Sequence, residues 1–343
     1  MTRALRSRTG AFSVRVRPRA LIVGALLAAV TLVCGALILT TGDFPATVGD
    51  VLQVLTGDGP RGLEIVVTRF RLPRLLVGIG VGAALGAAGS IFQSISRNPL
   101  GSPDVIGFTT GSATGALVVL VVAQDSPVGV PVGAILGGVG SALLVYLLAY
   151  RRGVQGFRLI LVGIGVSSVL AAVNAFLLSR ASLADAQGAQ MWLVGSLSGR
   201  SWDHVVPVWI ALVALLPAVA LLGKRMSMLE MGDETATARG VPVERTRLTL
   251  VVVGVALTAV ATAAAGPIAF VALAAPQVAH RLVRVGGAGP MISALTGAAL
   301  LVGADLAGQR LLLPLQLPVG LSTGAVGGLY LVWLLGREWR RQW

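Results

Sequence analysis

The chain has 343 residues, of which 55% are hydrophobic and only 12% are charged. Soluble domains usually carry about 25% charged residues, so too few polar side chains are present to cover a water-exposed surface. Glycine is abundant as well, with 45 residues, many of them inside apolar stretches, as in transmembrane helices that pack closely. We therefore expect an all-α polytopic membrane protein.

The scarcity of metal-binding side chains excludes several other classes of protein. Cys34 is the single cysteine, which rules out a disulfide framework and an iron–sulfur cluster on this chain alone. The two histidines, His204 and His280, lie far apart in sequence, so no metal site is expected. A net charge of +13 could indicate nucleic-acid binding, but the positions of the basic residues have another explanation.

Ten apolar stretches of about 20 residues follow one another along the chain, each long enough to cross a bilayer. They are predicted at 20–41, 71–93, 104–123, 127–150, 157–179, 204–223, 247–265, 267–284, 290–313 and 318–336. The eighth is the least regular, because Gly266, Pro267 and Pro276 interrupt it. These residues predict either a hairpin between two spans or a broken, partly re-entrant helix.

The distribution of basic residues predicts the orientation of these spans. With the N-terminus in the cytoplasm, 20 of the 27 Arg and Lys residues fall on cytoplasmic segments and seven on outer ones, as the positive-inside rule requires. Both termini are therefore expected in the cytoplasm, and the charge reflects topology rather than nucleic-acid binding. Residues 1–19 form a basic cytoplasmic tail, and residues 20–343 form a single transmembrane domain. A cleaved signal peptide is the alternative for the first segment, but no convincing A-x-A site follows it.

Charged side chains are rare within the predicted spans. Asp305 is the acid that lies deepest, with Gln309 one helical turn later and Arg310 about a turn and a half later. Ion-coupled secondary transporters commonly place ionisable residues near mid-membrane, so this scarcity argues against that class. For Asp305 we favour a packing or capping role with Gln309 or Arg310, because buried polar groups are usually paired.

Short motifs occur in order between residues 65 and 336. The second span opens with Arg-Leu-Pro-Arg at 71–74, continues with a glycine ladder and ends at Gln93, before the cytoplasmic turn Arg97-Asn98-Pro99-Leu100. The ladder places small residues on one helix face, where another backbone can approach closely. The ladder is Gly78, Gly80, Gly82, Gly86 and Gly89, of which Gly78, Gly82 and Gly86 share that face. The later motifs are Trp192-x-x-Gly195-Ser196-Leu197, Gly232-Asp233-Glu234-x-Ala236-x-x-Arg239-Gly240, Gly266-Pro267-Ile268-x-Phe270, Ala304-Asp305 and Leu317-Pro318-x-Gly320.

Together these motifs resemble the iron-siderophore and vitamin B12 (FecCD-type) permease family of ABC importers. The resemblance implies the type II importer permease fold, in which two permeases form a pore above two ATPase domains. Where many members have Pro-His, this chain has Pro276-Gln277, and the string Phe-Val-Ala-Leu-Ala-Ala-Pro-Gln at 270–277 is similar to that of enterobactin-type second permeases. The resemblance therefore favours a heterodimeric pore for a ferric siderophore. A homodimeric importer of vitamin B12 or haem is the alternative.

The longest polar cytoplasmic stretch, 224–247, is interpreted through the same resemblance. Its composition alone is that of an ordinary solvated loop. The family instead implies a coupling segment of one or two short helices, seated in a groove of the ATPase. Glycines would supply its turns, and charged side chains its polar contacts. The residues assigned to this role are Gly232, Asp233, Glu234, Ala236, Arg239 and Gly240.

Three outer arginines also receive a role from the resemblance. Arg71, Arg74 and Arg310 are expected on the same side of the membrane, where family members dock an extracytoplasmic siderophore-binding protein through acidic patches on its two lobes. Guanidinium–carboxylate pairs would give such docking both attraction and register. The alternative is that these arginines snorkel toward the membrane interface.

Polar and small residues beside the spans are candidates for the pore wall or for helix packing, which the sequence leaves open. They are Gln93, Asn98, Pro99, Asn174, Pro276, Gln277 and Asp305. No Walker A motif and no H-E-x-x-H sequence is present, so we expect no catalytic residue and no cofactor on this chain. ATP and Mg²⁺ are expected on the partner ATPase. We expect the protein in the cytoplasmic (inner) membrane, in contact with lipid, a second permease, ATPase subunits and a binding protein.

Overall fold

Apolar stretches of this length can satisfy their backbone hydrogen bonds in a bilayer as helices, and the computed structural model has helices at all of them. It describes residues 3–6, 13–16, 18–42, 44–104, 106–123, 129–150, 156–284, 289–311 and 316–339. In the basic tail, Arg3–Arg6 (β1) and Ser13–Val16 (β2) pair as a short antiparallel ribbon. Both chain ends, predicted to be cytoplasmic, lie outside the described residues, as do Arg151 and Arg152 of the cytoplasmic segments.

Fourteen α-helices lie within the described ranges. In chain order they are α1 (Pro18–Thr40), α2 (Val48–Thr56), α3 (Arg61–Ile65), α4 (Leu72–Ser96), α5 (Phe108–Leu117), α6 (Gly129–Ala149), α7 (Gly156–Arg180), α8 (Leu183–Val194), α9 (Trp202–Glu230), α10 (Asp233–Ala238), α11 (Val243–Ala265), α12 (Val271–Val283), α13 (Gly289–Arg310) and α14 (Val319–Trp339). A π-helical segment, Val66–Arg71, joins α3 to α4, and another, Val118–Ala123, extends α5. Seven helical stretches of the described chain are long and apolar enough to cross a membrane.

The eighth predicted span, 267–284, is shorter in the structure than the sequence indicates. α11 ends at Ala265, residues 266–270 are not helical, and α12 has 13 residues. At 1.5 Å per residue α12 covers about 20 Å of a hydrocarbon core about 30 Å thick. Gly266 and Phe270 both have positive φ angles, 75° and 69°, which breaks the helical path. Of the two alternatives predicted for this stretch, the structure therefore agrees with the broken helix: α12 is a partial span that follows a non-helical break.

α4 is the central helix of the core, with 83% of its membrane-spanning window buried. Its glycine ladder faces α13: a Cβ atom added at Gly82 would lie 2.5 Å from the carbonyl oxygen of Gly297, and one added at Gly86 would lie 2.2 Å from that of Ser293. Only a glycine permits backbones to approach this closely. The small-residue spacing thus does what the sequence predicts, and α4 carries the Arg-Leu-Pro-Arg motif at one end and Gln93 near the other.

Side-chain contacts bring together the helix ends that the charge distribution assigns to one side. At the predicted cytoplasmic side, Arg19 Nε of α1 donates to the carbonyl of Leu282 at 3.0 Å. At the predicted outer side, Trp202 Nε1 donates to the carbonyl of Thr68 at 2.9 Å. The packing therefore agrees with the orientation of the spans inferred from basic residues.

Candidate functional site

The Arg-Leu-Pro-Arg motif and the Ala-Asp motif meet at the outer side of the α4–α13 contact. Arg74 donates from Nε to Asp305 Oδ2 at 3.0 Å and from Nη2 to Oδ1 at 2.7 Å. Gln309 adds a third hydrogen bond to Oδ2 at 2.8 Å. Asp305 is only 2% exposed, so this is a buried, bidentate ion pair. Gln309 is the partner that the i+4 spacing indicates, whereas the paired arginine is Arg74 rather than Arg310.

Arg71 is occupied within the chain as well. It donates to the carbonyl of Leu39 at 2.7 Å and to that of Phe44 at 2.6 Å, which fixes the segment that follows α1. Arg310 differs, because it is exposed at the end of α13. Docking of a binding protein by these arginines stays a prediction, and Arg310 is the one best placed to reach a partner without breaking an internal contact.

A cavity of about 420 Å³ opens beside Arg71 and Arg74. Arg200, which the sequence reasoning did not select, lines it together with Arg71, Arg74 and Gln309. Arg200 lies in the loop before α9, where its Nε donates to the carbonyl of Ser196 at 3.1 Å. Three guanidinium groups against the one carboxylate of the buried pair give this cavity a positive potential, which suits acidic groups.

Three other motifs, far apart in sequence, meet at one backbone junction. Ser196 N–H donates to the carbonyl of Ala265 at 2.8 Å, and Gly320 N–H donates to that of Gly195 at 3.2 Å. Gly195 has a φ of 75°, and a Cβ atom added there would lie 2.3 Å from the carbonyl oxygen of Pro267. Glycine is thus required both by conformation and by space. The junction holds the break before α12 in place.

The polar residues at the cytoplasmic end of α4 form a connected cluster with α12. Gln277 Nε2 donates to Gln93 Oε1 at 3.1 Å and to the carbonyl of Pro99 at 2.9 Å. Gln93 Nε2 in turn donates to the carbonyl of Leu273 at 3.0 Å, and Asn98 Oδ1 caps the turn. A cavity of about 330 Å³ lies among these residues. Seven residues were predicted either to line the pore or to pack between helices, and the structure brings four of them together in this cluster.

The other members of that group lie elsewhere. Asp305 belongs to the buried outer ion pair, and Pro276 is buried inside α12. Asn174 lies on α7, half-buried, and its Oδ1 has no hydrogen-bond partner within the part of the chain that the structure describes. No single site therefore unites the seven residues.

The predicted coupling segment is more compact than its 24-residue range suggests. α9 continues to Glu230 and α11 begins at Val243, so one short helix, α10, lies between them. Its flanking glycines, Gly232 and Gly240, have φ angles of 113° and 77°, as expected for turn positions. Ala236 is buried against the core, whereas Glu234 and Arg239 are exposed.

Asp233, predicted to contact an ATPase, is engaged inside the chain. Arg247 Nη2 donates to its two carboxylate oxygens at 2.9 and 3.0 Å, and Arg97 Nη2 donates to Oδ1. Arg97 and Arg247 were missed by the sequence reasoning, which treated both only as cytoplasmic charges. The signal available was the position of Arg97 directly before the Asn98-Pro99 turn.

The sequence reasoning also missed a carboxylate that lines another cavity. This cavity, of about 480 Å³, is lined by Asp104, Thr109 and Thr110 on one side and by the break at Pro267, Ala269 and Phe270 on the other. Asp104 accepts a hydrogen bond from the Thr109 hydroxyl. The predicted span 104–123 concealed it, because helix α5 begins only at Phe108 and residues 103, 104, 106 and 107 lie in turns.

Residues 20–337 match the FecCD transport family. The chain belongs to this family. It is 47% identical over 327 residues to the ferric enterobactin transport system permease protein FepG of Escherichia coli (strain K12), covering 95% of this chain and 99% of FepG. It is 37% identical over 323 residues to the achromobactin transport system permease protein CbrC of Dickeya dadantii (strain 3937), covering 92% of each.

The fold of this chain is also seen in a solved structure. A solved metal-chelate type ABC transporter in an inward-facing conformation superposes with a TM-score of 0.82 at 24% identity, covering 92% of this chain and 99% of that chain. At that identity the likeness concerns the fold alone. Among the residues that the structure describes, no group of three or more His, Cys, Asp or Glu side chains is placed to hold a metal ion.

Proposed function

We propose that this FecCD-family protein is the permease subunit of an ABC importer that carries a ferric siderophore across the cytoplasmic membrane. The observation that carries the proposal is the 47% identity to the permease FepG, which extends over 95% of this chain. The low number of acids within the spans and the absence of a Walker A motif support a permease that is driven by another subunit.

The energy would come from a separate ATPase that contacts α10 and its flanking turns. α9 has 29 residues, about 44 Å of helix, which is longer than a hydrocarbon core of about 30 Å. Its C-terminal end therefore extends toward the cytoplasm and presents α10 at the membrane face. Glu234 and Arg239 are the charged residues of the predicted set that form no ion pair within the described part of the chain, and we assign the polar contacts with the ATPase to them.

The cargo would arrive on an extracytoplasmic binding protein that docks at the outer cavity. Arg71, Arg74 and Arg200 line this cavity, and the exposed Arg310 directly follows Gln309, which also lines it. An acidic lobe of the binding protein would be drawn to this positive surface.

A second, related permease would complete the pore against α7. Only 11% of the apolar window of this helix is buried, yet the helix carries Ser167, Ser168 and Asn174. Polar side chains on an exposed membrane helix usually face a partner helix or a water-filled cavity. The string at 270–277, similar to that of enterobactin-type second permeases, favours a partner that is not identical to this chain.

The test is to tag this chain, solubilise it gently and identify the co-purifying proteins by mass spectrometry, followed by uptake of radiolabelled ferric enterobactin in proteoliposomes. We expect an ATPase, a second related permease and ATP-dependent uptake. Recovery of the ATPase with two copies of this chain would replace the heterodimer by a homodimer, with vitamin B12 or haem as the next cargo to test. Uptake driven by a proton gradient without the ATPase would overturn the proposal.

A further inference from the structure

Three elements of the cytoplasmic side meet at the carboxylate of Asp233. Asp233 begins α10, Arg247 lies in the first turns of α11, and Arg97 ends α4. Arg247 binds both carboxylate oxygens, at 2.9 and 3.0 Å, and Arg97 binds Oδ1. One acidic side chain therefore connects the short cytoplasmic helix with two membrane helices.

The two arginines of this cluster differ in burial. The side chain of Arg247 is 5% exposed, whereas that of Arg97 is 41% exposed. A buried charge that loses its partner is costly, so Arg247 fixes Asp233 to α11. An exposed ion pair contributes only about 0.2–1 kcal/mol, so the contact with Arg97 can break and form again at little cost.

Arg97 is held in a conformation that directs it toward α10. Its φ is 49°, in the left-handed region, which is uncommon for a residue other than glycine. Its Nε donates to the carbonyl of Leu229, near the end of α9, at 3.0 Å. Arg97 thus lies across the junction between α9 and α10, and a shift of α10 relative to α4 acts first on this side chain.

The turn that follows Arg97 leads directly to the cavity lined by Asp104 and Thr109. Gln277 of α12 holds the turn at the carbonyl of Pro99, and Gly101 N–H donates to the carbonyl of Asn98 at 2.9 Å. Ser102 and Asp104, immediately after the turn, line the cavity of about 480 Å³. A displacement of residues 97–101 would therefore move one wall of this cavity.

We infer that Asp233 and Arg97 are positioning residues that couple movement of α10 to the turn 97–101, and through it to the wall of the cavity at Ser102 and Asp104. The inference rests on the proposed function, because it takes α10 as the element that the ATPase moves. Arg247 keeps Asp233 attached to α11, and the Arg97–Asp233 pair is the contact that changes during the transport cycle.

The test uses the complete importer with its ATPase and binding protein in proteoliposomes, and measures iron imported per ATP hydrolysed with ferric enterobactin as the probe. Arg97→Gln removes the charge of the breakable contact and lies at a half-exposed position, so the chain should still fold. We expect the iron imported per ATP to fall about threefold to fivefold, a factor comparable with the free energy of one exposed ion pair, while ATP hydrolysis continues. Arg158→Gln, at the cytoplasmic end of α7 and outside the cluster, is the matched control and should keep the ratio.

A double-mutant cycle separates coupling from simple destabilisation. Asp233→Asn alone should lower the ratio, and Arg97→Gln should have no further effect in the Asp233→Asn background, since the shared contact is already lost. Hydrogen exchange of the amides at 97–101 should become faster in Arg97→Gln while the ATPase still co-purifies. Additive defects, or a normal ratio in Arg97→Gln, would overturn the inference. Absence of ATP-driven uptake in the unmodified importer would instead contradict the proposed function.

Discussion

At the scale of single residues, arginines of this permease fall into two groups that the sequence does not distinguish. Arg74 and Arg247 are buried and paired with acids, at Asp305 and Asp233. Arg310 and Arg239 are exposed. Buried pairs are expensive to break, whereas exposed guanidinium groups remain available to partners. Substitutions in the two groups should therefore have opposite consequences for stability and for association.

Arg74→Gln should destabilise the protein, because it leaves the buried carboxylate of Asp305 without its arginine. Only the hydrogen bond from Gln309 then remains. The expected loss is about 3–5 kcal/mol, typical of breaking one side of a buried ion pair. Thermal unfolding in detergent measures it. Removing both charges, in Arg74→Gln with Asp305→Asn, should recover most of the loss. A double variant as unstable as the single one would show that the charge imbalance is not the cause.

Arg310→Glu should weaken docking of the binding protein without lowering stability. Reversal of a surface charge that faces an acidic partner should reduce the affinity about tenfold or more, and the effect should shrink at high salt. Binding of the purified binding protein to the solubilised importer measures it. Arg61→Glu, an exposed change on the same side but away from the cavity, is the control. Equal affinity in the Arg310 variant and the control would remove Arg310 from the docking surface.

At the scale of helices, the close contact between α4 and α13 depends on glycine. A Cβ atom added at Gly297 would lie 2.1 Å from the carbonyl oxygen of Gly82, whereas one added at Gly303 on the same helix would have no atom within 4 Å. Gly297→Ala should thus cost about 1–3 kcal/mol through forced separation of backbones. Gly303→Ala should be neutral or stabilise by up to about 1 kcal/mol, through helix propensity. Thermal unfolding of both variants decides whether space at this contact is the determinant.

Gly240 offers a second test at the scale of an element, the turn between α10 and α11. Its φ is 77° and no atom lies within 4 Å of an added Cβ, so a substitution there acts through backbone conformation. Gly240→Val should distort the turn and lower transport per ATP severalfold, because a β-branched residue disfavours positive φ by at least about 1–2 kcal/mol. Gly240→Asn, which tolerates this conformation, should remain close to the unmodified protein. Unchanged coupling in the valine variant would contradict the role of this turn.

The elements show where sequence reasoning succeeds and where it stops. Runs of apolar residues predict a helix at all ten positions, since a bilayer leaves the backbone few other options. The glycine ladder of α4 also predicts a close helix contact, because the spacing itself places Gly82 and Gly86 on one face. For the stretch 267–284 the sequence left two alternatives, and the partial span α12 agrees with the broken helix. Its length could not be predicted, because apolar character continues across the break and only backbone conformation interrupts the helix.

The partners of charged residues could not be predicted. Arg74 pairs with Asp305, 231 positions away, and Arg97 pairs with Asp233, 136 positions away. Hydrophobic periodicity reports which face of a helix is buried, but it does not report which helix lies opposite. The sequence motifs were identified one by one, and the structure shows that residues from two or three different motifs contact one another.

At the scale of the whole molecule, two long and exposed helices differ in what they present. Both helices expose large apolar side chains, such as Val169 on α7 and Val213 and Leu221 on α9, but α7 also carries Asn174 and two serines. Apolar side chains are compatible with lipid, whereas polar side chains on a membrane helix usually face a partner helix or a water-filled cavity. We therefore expect α7 to face the second permease and α9 to face the bilayer.

A photo-cross-linking experiment tests this assignment. Because the chain has a single cysteine, its removal allows a probe to be attached at one chosen position. In a Cys34→Ala background, a benzophenone maleimide is attached at Val169→Cys on α7 or at Val213→Cys on α9, positions that are 65% and 72% exposed. The probe at 169 should form an adduct with a second, related permease, and the probe at 213 should not. An adduct between two copies of this chain would indicate a homodimer. An adduct with the second permease from position 213 alone would reverse the assignment, so that α9 and not α7 faces the other subunit. The polar side chains of α7 would then line a water-filled surface instead of a subunit contact.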